Sequence, residues 1–325
     1  MLDETTCEVC GEDEWEVLGR RTYSKKEAEG KSPYVQKRFR VLFDKWFPES
    51  TTVTLSSKLC RNCGLVIYMP RPEESDIDSK YRYLQALGQD YGHAAEPQSA
   101  SERRRAAHLL GYLQSNIDLG GVVRVLDYGG GDGRLMGGLA GIGKQCCLVD
   151  YNANSIAGVT KLADTIENLD ADLEFDLIVC SHVVEHLANP LKTLKSLVSR
   201  LSKKGHIFIE VPLEIWKSAP LQLEPVTHIN FFTPNSLYNL MIHAGLDVKT
   251  CAIVACPYQN GSVGRAIRAI GAKRPGERAR GALRSPDAMA LMKPGVWQTI
   301  RYHMYVPSRI PATALRFLKR LVASR

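Results

Sequence analysis

Apolar positions recur at helical spacing in one stretch of the chain and in strand-length runs at several others. Residues 101–117 carry Ala106, Leu109, Leu110 and Leu113, which predicts a helix with one buried face. From Val122 the texture changes, and short apolar runs alternate with helical stretches. Residues 122–128, 146–150, 175–181 and 207–211 read as strands, and residues 135–142, 154–160, 184–201 and 234–244 as helices. The alternation predicts an α/β fold, a mainly parallel Rossmann-like sheet with helices on both faces. In such sheets ligands bind beyond the carboxyl ends of the strands. Ahead of this region, residues 15–18 and 52–55 are strand-like, and Pro70-Arg71-Pro72 breaks whatever precedes it. Residues 271–284, rich in Arg, Gly and Ala, read as a mobile loop, and residues 313–321 as a basic amphipathic helix. The expected organisation is a small module over 1–70, a helical connector over 71–120, a core over 121–256 and a basic, partly helical extension over 257–325.

Composition narrows this picture. With 325 residues, 44% hydrophobic and 24% charged, the chain reads as a globular protein of about two domains with an appended tail. No run approaches the roughly 18 apolar residues that span a bilayer. The start, Met1-Leu2-Asp3-Glu4-Thr5, is acidic where a secretory signal is basic and then apolar, so a cytoplasmic address is expected. The net charge of +7 is uneven: residues 261–325 hold 14 Lys/Arg against Glu277 and Asp287. That tail is +12 and the preceding 260 residues are −5. A basic tail suits substrate phosphates, nucleic acid or anionic lipid, or is simply a solvated face. The helix over 313–321 then either caps the core or lies peripherally on the inner membrane surface.

Nine cysteines without a secretory signal argue against a disulfide framework. Four of them form matching pairs, Cys7-Glu8-Val9-Cys10-Gly11 and Cys60-Arg61-Asn62-Cys63-Gly64. Each Cys-x-x-Cys turn can aim two thiolates at one ion, and two turns complete the four-thiolate shell of structural zinc. With four protein ligands such an ion has no open position for a substrate. Cys146, Cys147, Cys180, Cys251 and Cys256 sit among apolar residues and are expected in the core.

The most informative segment is Val125-Leu126-Asp127-Tyr128-Gly129-Gly130-Gly131-Asp132-Gly133, a buried strand ending in an acid and then a glycine turn. Counted from Gly129, the dinucleotide fingerprint needs glycine where Arg134 stands, so it fails. A run from Gly138 to Gly143-Lys144 has Gln145 where a phosphate loop needs Ser or Thr, so that match fails too. The acid-x-Gly-x-Gly-x-Gly turn resembles the first motif of class I S-adenosylmethionine-dependent methyltransferases. Leu148-Val149-Asp150-Tyr151 ends the next strand in an acid about 20 residues after the turn, where a carboxylate accepts ribose hydroxyls. The resemblance implies that Asp127, Tyr128, Gly129, Gly131 and Gly133 cradle S-adenosylmethionine, that Asp150 holds its ribose and that Tyr151 packs on adenine. It further implies Asp164 and Thr165 near the adenine amino group, and Ser181 and His182 along the cofactor.

The fourth core strand ends in Ser181-His182-Val183-Val184-Glu185-His186-Leu187. His182-x-x-Glu185-His186 also matches an inverted zinc-protease motif, but that motif requires a helix and this run sits at a strand-to-helix junction. A strand-end Glu-His followed by Asn189-Pro190 is similar to the methyltransferase family, as is Thr227-His228-Ile229-Asn230-Phe231-Phe232 further on. Where a methyl acceptor must lose a proton, an imidazole suits the task. His228 is the first candidate for base and His186 the second, with Glu185 as orienting partner.

The four-cysteine module joined to this core resembles bacterial sugar- and polysaccharide-type methyltransferases, including those acting on nucleotide-linked ketosugars. The resemblance covers about residues 5–250. It implies a small-molecule or glycan acceptor, nucleotide- or lipid-linked, with Tyr81, Tyr83 and Tyr91 leaning over it. Sugar C-methyltransferases tend to place Glu before the pocket His, whereas Thr227 stands there here, leaving C- and O-methylation both open. Two other readings compete: an RNA base methyltransferase with a zinc recognition module, and an inactive cofactor-binding scaffold. Against RNA, Glu8, Glu12, Asp13, Glu14 and Glu16 crowd the first knuckle and disfavour phosphates. Against the scaffold stand the intact turn, Asp150 and the three histidines.

Overall fold

The computed structural model describes residues 6–87, 98–152, 154–215, 224–257 and 263–274. Two sheets organise them. The smaller is antiparallel and contains β1 (Trp15–Ser24), β2 (Thr52–Cys60), β3 (Val66–Met69) and the two-residue β9 (Asn230–Phe231), in that order. Helix α1 (Pro33–Val41) begins at Ser32, whose hydroxyl accepts from Val35 N, and widens into a turn over Leu42–Trp46. Helices α2 (Glu74–Ala86) and α3 (Ala100–Asn116) form the connector. Helix α3 starts with a reciprocal cap between Ser99 and Glu102 and buries Ala106, Leu109 and Leu113, the face its spacing predicted.

The larger sheet is built from β4 (Arg124–Tyr128), β5 (Gln145–Val149), β6 (Val159–Ala163), β7 (Phe175–Ser181), β8 (Leu201–Pro212), β10 (Leu246–Pro257) and β11 (Val263–Lys273). Its order is β10-β11-β8-β7-β4-β5-β6. Strands β4 to β8 pair in parallel, and β11 runs antiparallel between β8 and β10. Strand order reverses between β4 and β7, the place at whose carboxyl ends such sheets bind ligands. Helices α4 (Gly137–Gly141), α5 (Pro190–Ser199) and α6 (Pro234–His243) complete the element list. This is the α/β, mainly parallel architecture the alternation predicted.

Several expectations need correction. No helix forms over 154–160: the described residues turn at Gly158 (φ +82°) and enter β6 at Val159. The helix expected from Val184 is a single 3-10 turn, Val184–His186. The α-helix begins only at Pro190, which suits a first helical position, capped by Asn189 accepting from Lys192 N. The sheet runs past residue 256, and Gly271–Lys273, expected in a loop, are β11 residues paired with β8 and β10. Arg265 and Arg268 disguised that strand, although Arg268 is buried. Nor is the N-terminal sheet self-contained, because β9 comes from the core and one apolar cluster runs from Cys7 through Leu126 to Ala269. Most of the basic tail, including residues 313–321, lies outside the described residues, as does Tyr91. Among the described residues no helix is long and apolar enough to cross a membrane.

Candidate active site and thiol cluster

The glycine turn after β4 is tight for steric reasons. Gly129, Gly131 and Gly133 have φ of +68°, +67° and +82°, a region L side chains rarely adopt. A Cβ on Gly129 would meet Val183 Cγ2 at 2.7 Å, and one on Gly130 would meet Asp127 Oδ2 at 2.0 Å. The turn backbone therefore lies directly over the Asp127 carboxylate. Asp127 is 0% exposed, and neither of its oxygens has a hydrogen-bond partner among the described residues. Burial, reinforced by Asp150, pushes its carboxyl up to about 7. Such an orphan fits a ligand that brings a cationic donor, and the amino acid end of S-adenosylmethionine brings an ammonium.

Asp150 faces the same turn. Its Oδ2 accepts from Gly131 N at 2.9 Å and its Oδ1 from Asn152 N at 2.7 Å, with lone pairs left for further donors. Burial raises its carboxyl, against the pull of those two amides. Tyr151 stacks on Tyr81 of α2 at 5.6 Å and donates its hydroxyl to Asp78 at 2.7 Å. Asp164 follows β6 with its side chain exposed and paired to Lys161, and the Thr165 hydroxyl donates to Asn168. The half-buried Tyr128 closes β4.

Across the crevice, the end of β7 gathers the histidines. His182 adopts φ +58°, the one non-glycine positive φ among the described residues. Its Nδ1 lies 3.2 Å from Glu185 Oε1 and its Nε2 lies 3.4 Å from Glu210 Oε1. Burial pulls His182 down, but the two carboxylates outweigh it and hold the imidazole up at about 9. Ser181 donates to Glu210 at 2.8 Å and accepts from Arg105 at 2.8 Å. Ser181 and His182 are thus tied into one polar network around Glu210.

His186 and His228 meet edge to face, with ring centroids 4.8 Å apart. Stitching between the turn after β7 and the strand carrying β9 puts them there. Ile229 N donates to Glu185 O, the Asn230 amide donates to Val184 O and Leu187 O, and the Arg71 guanidinium donates to Leu187 O, Ala188 O and Asn230 Oδ1. His186 Nδ1 bonds the Thr227 carbonyl at 2.5 Å, leaving Nε2 3.8 Å from Glu185 Oε1. Burial pushes His186 down to about 3, with Glu185 opposing, so the ring is neutral. His228 Nδ1 lies 3.3 Å from Glu214 Oε2. Glu214 is thus the carboxylate that orients His228, whereas Glu185 pairs with His182. Sequence reading missed Glu214, since a lone acid after Val211-Pro212-Leu213 carries no signal. It also missed Glu210, whose one clue is an acid inside an apolar strand. The donor atoms of Glu185, His186 and His228 lie within 4.8 Å of one another, close enough to share a cation. Glu185, however, already has its charge matched by His182. His182 and His186 lie on a strand end and a 3-10 turn, not on one helix, so the protease motif is not formed.

Cys7, Cys10, Cys60 and Cys63 also converge within 4.8 Å, with Cys7 Sγ to Cys63 Sγ at 3.8 Å and Cys10 Sγ to Cys60 Sγ at 3.5 Å. The sulfur–sulfur edge of a tetrahedron with bonds of about 2.3 Å is about 3.8 Å, so the four thiols fit a zinc ion. Both knuckles close on a left-handed glycine, Gly11 and Gly64, each at φ +78°. Helix α6 braces them: Thr233 donates to Cys63 O, and His243 Nδ1 bonds Val9 O. All nine cysteines are free. Cys256 is not purely apolar in its contacts, since its thiol lies 3.2 Å from Glu210 Oε2, and Cys251 is only half-buried.

A glycine turn over an orphaned carboxylate, a second acid at the next strand end and an imidazole cluster across the crevice define an S-adenosylmethionine-dependent methyltransferase. The family comparison agrees. Residues 86–250 match the family described as "Methyltransferase domain", and the chain belongs to that family. A ubiquinone biosynthesis O-methyltransferase of Marinobacter nauticus is 27% identical over 168 residues, 43% of this chain and 70% of that protein. Among solved structures, the 1,6-didemethyltoxoflavin-N1-methyltransferase of Burkholderia thailandensis aligns at 18% identity and TM-score 0.44, covering 62% of this chain and 87% of that one. The [4+2]-cyclase SpnF aligns at 15% identity and TM-score 0.45, covering 63% and 98%.

Proposed function

We propose that the chain methylates an oxygen or carbon of a small-molecule or glycan acceptor, a sugar in the favoured case, and that His228 takes the acceptor's proton. The observation that carries this reading is the His228–Glu214 pair beside His186, across the crevice from the glycine turn. The similarity to an O-methyltransferase of ubiquinone biosynthesis supports a small-molecule acceptor and favours oxygen. When bound, S-adenosylmethionine supplies a methyl group on a sulfonium, a carbon already activated for displacement.

The chain's own residues do the rest. Asp127 and the turn amides receive the amino acid end, and Asp150 the ribose. His228 Nε2 takes the hydroxyl or α-carbon proton, and Glu214 stabilises the imidazolium that results. His186, neutral and pinned through Nδ1, walls the pocket. Four thiolates at Cys7, Cys10, Cys60 and Cys63 would hold one structural zinc, and metal analysis of the purified chain finding none would remove that assignment.

The test is transfer from isotopically labelled S-adenosylmethionine to a panel of nucleotide-linked sugars and hydroxylated aromatics, read by mass spectrometry. His228→Ala should lower turnover about 100-fold or more, with S-adenosylhomocysteine affinity unchanged by calorimetry. Unchanged turnover removes His228 from the chemistry.

A further inference from the structure

Lys80 lies midway along α2 and is 2% exposed, yet neither the cofactor turn nor the proposed base employs it. A buried ammonium is costly without partners, and an apolar residue would fill the same helical position without that cost. Its partners are specific: Nζ donates to Val226 O at 3.0 Å and to Thr227 O at 3.4 Å. Thr227 O is the same carbonyl that binds His186 Nδ1. One backbone oxygen is therefore shared by an ammonium and an imidazole, one residue before His228.

The segment is braced from other sides as well. The Glu224 carboxylate accepts from Val226 N at 3.0 Å and from Thr227 N at 3.1 Å, and the Tyr34 hydroxyl of α1 bonds Thr227 Oγ1 at 2.8 Å. Meanwhile α2 reaches the cofactor side through Asp78 and Tyr81, which hold Tyr151. A single helix thus touches both halves of the crevice.

We propose that Lys80 is a positioning residue for the acceptor-side imidazoles: by holding the Val226 and Thr227 carbonyls it sets the place of His228 and fixes His186 as the Nδ1–H tautomer. The proposal rests on the reading of His228 as base, but it concerns geometry and tautomer, which are observable without turnover. The charged groups facing Lys80 are Glu224 and Glu185, which favour its cation, and Arg38, which opposes it; the neutral His186 is the other titratable group beside it. Burial pulls Lys80 down to about 7, with Glu224 opposing, so its hold weakens as pH rises past neutrality.

Long-range proton–nitrogen spectra of the 325-residue chain, labelled at histidine and lysine and saturated with S-adenosylhomocysteine, test this. The wild type should show His186 as Nδ1–H. Lys80→Met should give mixed tautomers at His186 and move the His228 signals, with cofactor-product affinity within about two-fold. Lys80→Arg, which keeps a cationic donor, should restore the Nδ1–H form. Unchanged His186 and His228 signals in Lys80→Met overturn the proposal. So does a uniform change that includes His206 and His243, the mark of a merely structural lysine. If Lys80→Met does not fold, a wild-type titration decides: His186 and His228 must shift with the midpoint of the Lys80 Nζ signal, and unrelated midpoints overturn the idea. Retained turnover in His228→Ala would instead sink the base assignment, which these spectra do not measure.

Discussion

Asp127 and Glu210 lie near the carboxyl ends of β4 and β8, on either side of β7 in the same sheet, and both are buried, at 0% and 2% exposure. Their surroundings are opposite. Asp127 has no partner among the described residues. Glu210 receives Ser181 at 2.8 Å, Arg268 at 2.6 Å, Arg105 at 3.2 Å and the Cys256 thiol at 3.2 Å, with His182 at 3.4 Å. Burial raises both carboxyls, but these partners hold Glu210 well below the usual carboxylate range, whereas Asp127 is left at about 7. The contrast separates a carboxylate completed by its own chain from one that a ligand must complete.

The largest effect should come from Glu210→Ala. It strands Arg268, 1% exposed, beside Arg105, and removing one partner of a buried pair costs about 3–5 kcal/mol, measurable by denaturant unfolding. Asp127→Asn should do the reverse. At pH 8 its unfolding free energy should equal or exceed that of wild type, while S-adenosylhomocysteine binding falls at least about ten-fold by calorimetry. Equal destabilisation by the two variants would erase the distinction between them.

The smallest effect is a pH dependence in two windows. His182, raised to about 9, contributes stability that is full below its unfolded value near 6.5 and lost as pH climbs through 9. Asp127, raised to about 7, costs stability as pH rises from about 4 to 7, because the folded state then binds the extra proton. Lys80, lowered to about 7, gains stability over the same pH range, so the readout is a difference: the melting-temperature advantage of wild type over His182→Asn should shrink between pH 7.5 and 9.5. An identical slope in both would detach His182 from Glu185 and Glu210.

Much of the glycine turn was legible because it is local. Asp127 and three glycines stand within seven residues, and the geometry that demands them is set by backbone sterics at consecutive positions. The four thiols were legible for the same reason, as two identical short turns whose pairing follows from valence. The strand 263–273 was not legible, because Arg268 reads as solvent-facing until Glu210 is placed beside it. The absent helix over 154–160 failed for a related reason: periodicity in so short a segment yields to a glycine turn and to pairing with β5.

What the sequence determined by itself is the α/β alternation, the glycine turn with its two acids and the two cysteine knuckles, all of them encoded by neighbours in the chain. Tertiary structure decided the partners. It gave Glu214 rather than Glu185 to His228, Glu210 to His182, and the Thr227 carbonyl to both His186 and Lys80. Those pairings join residues tens to more than a hundred positions apart. Which of them meet depends on how the turn after β7 is stitched to the segment before α6, and no local pattern records that.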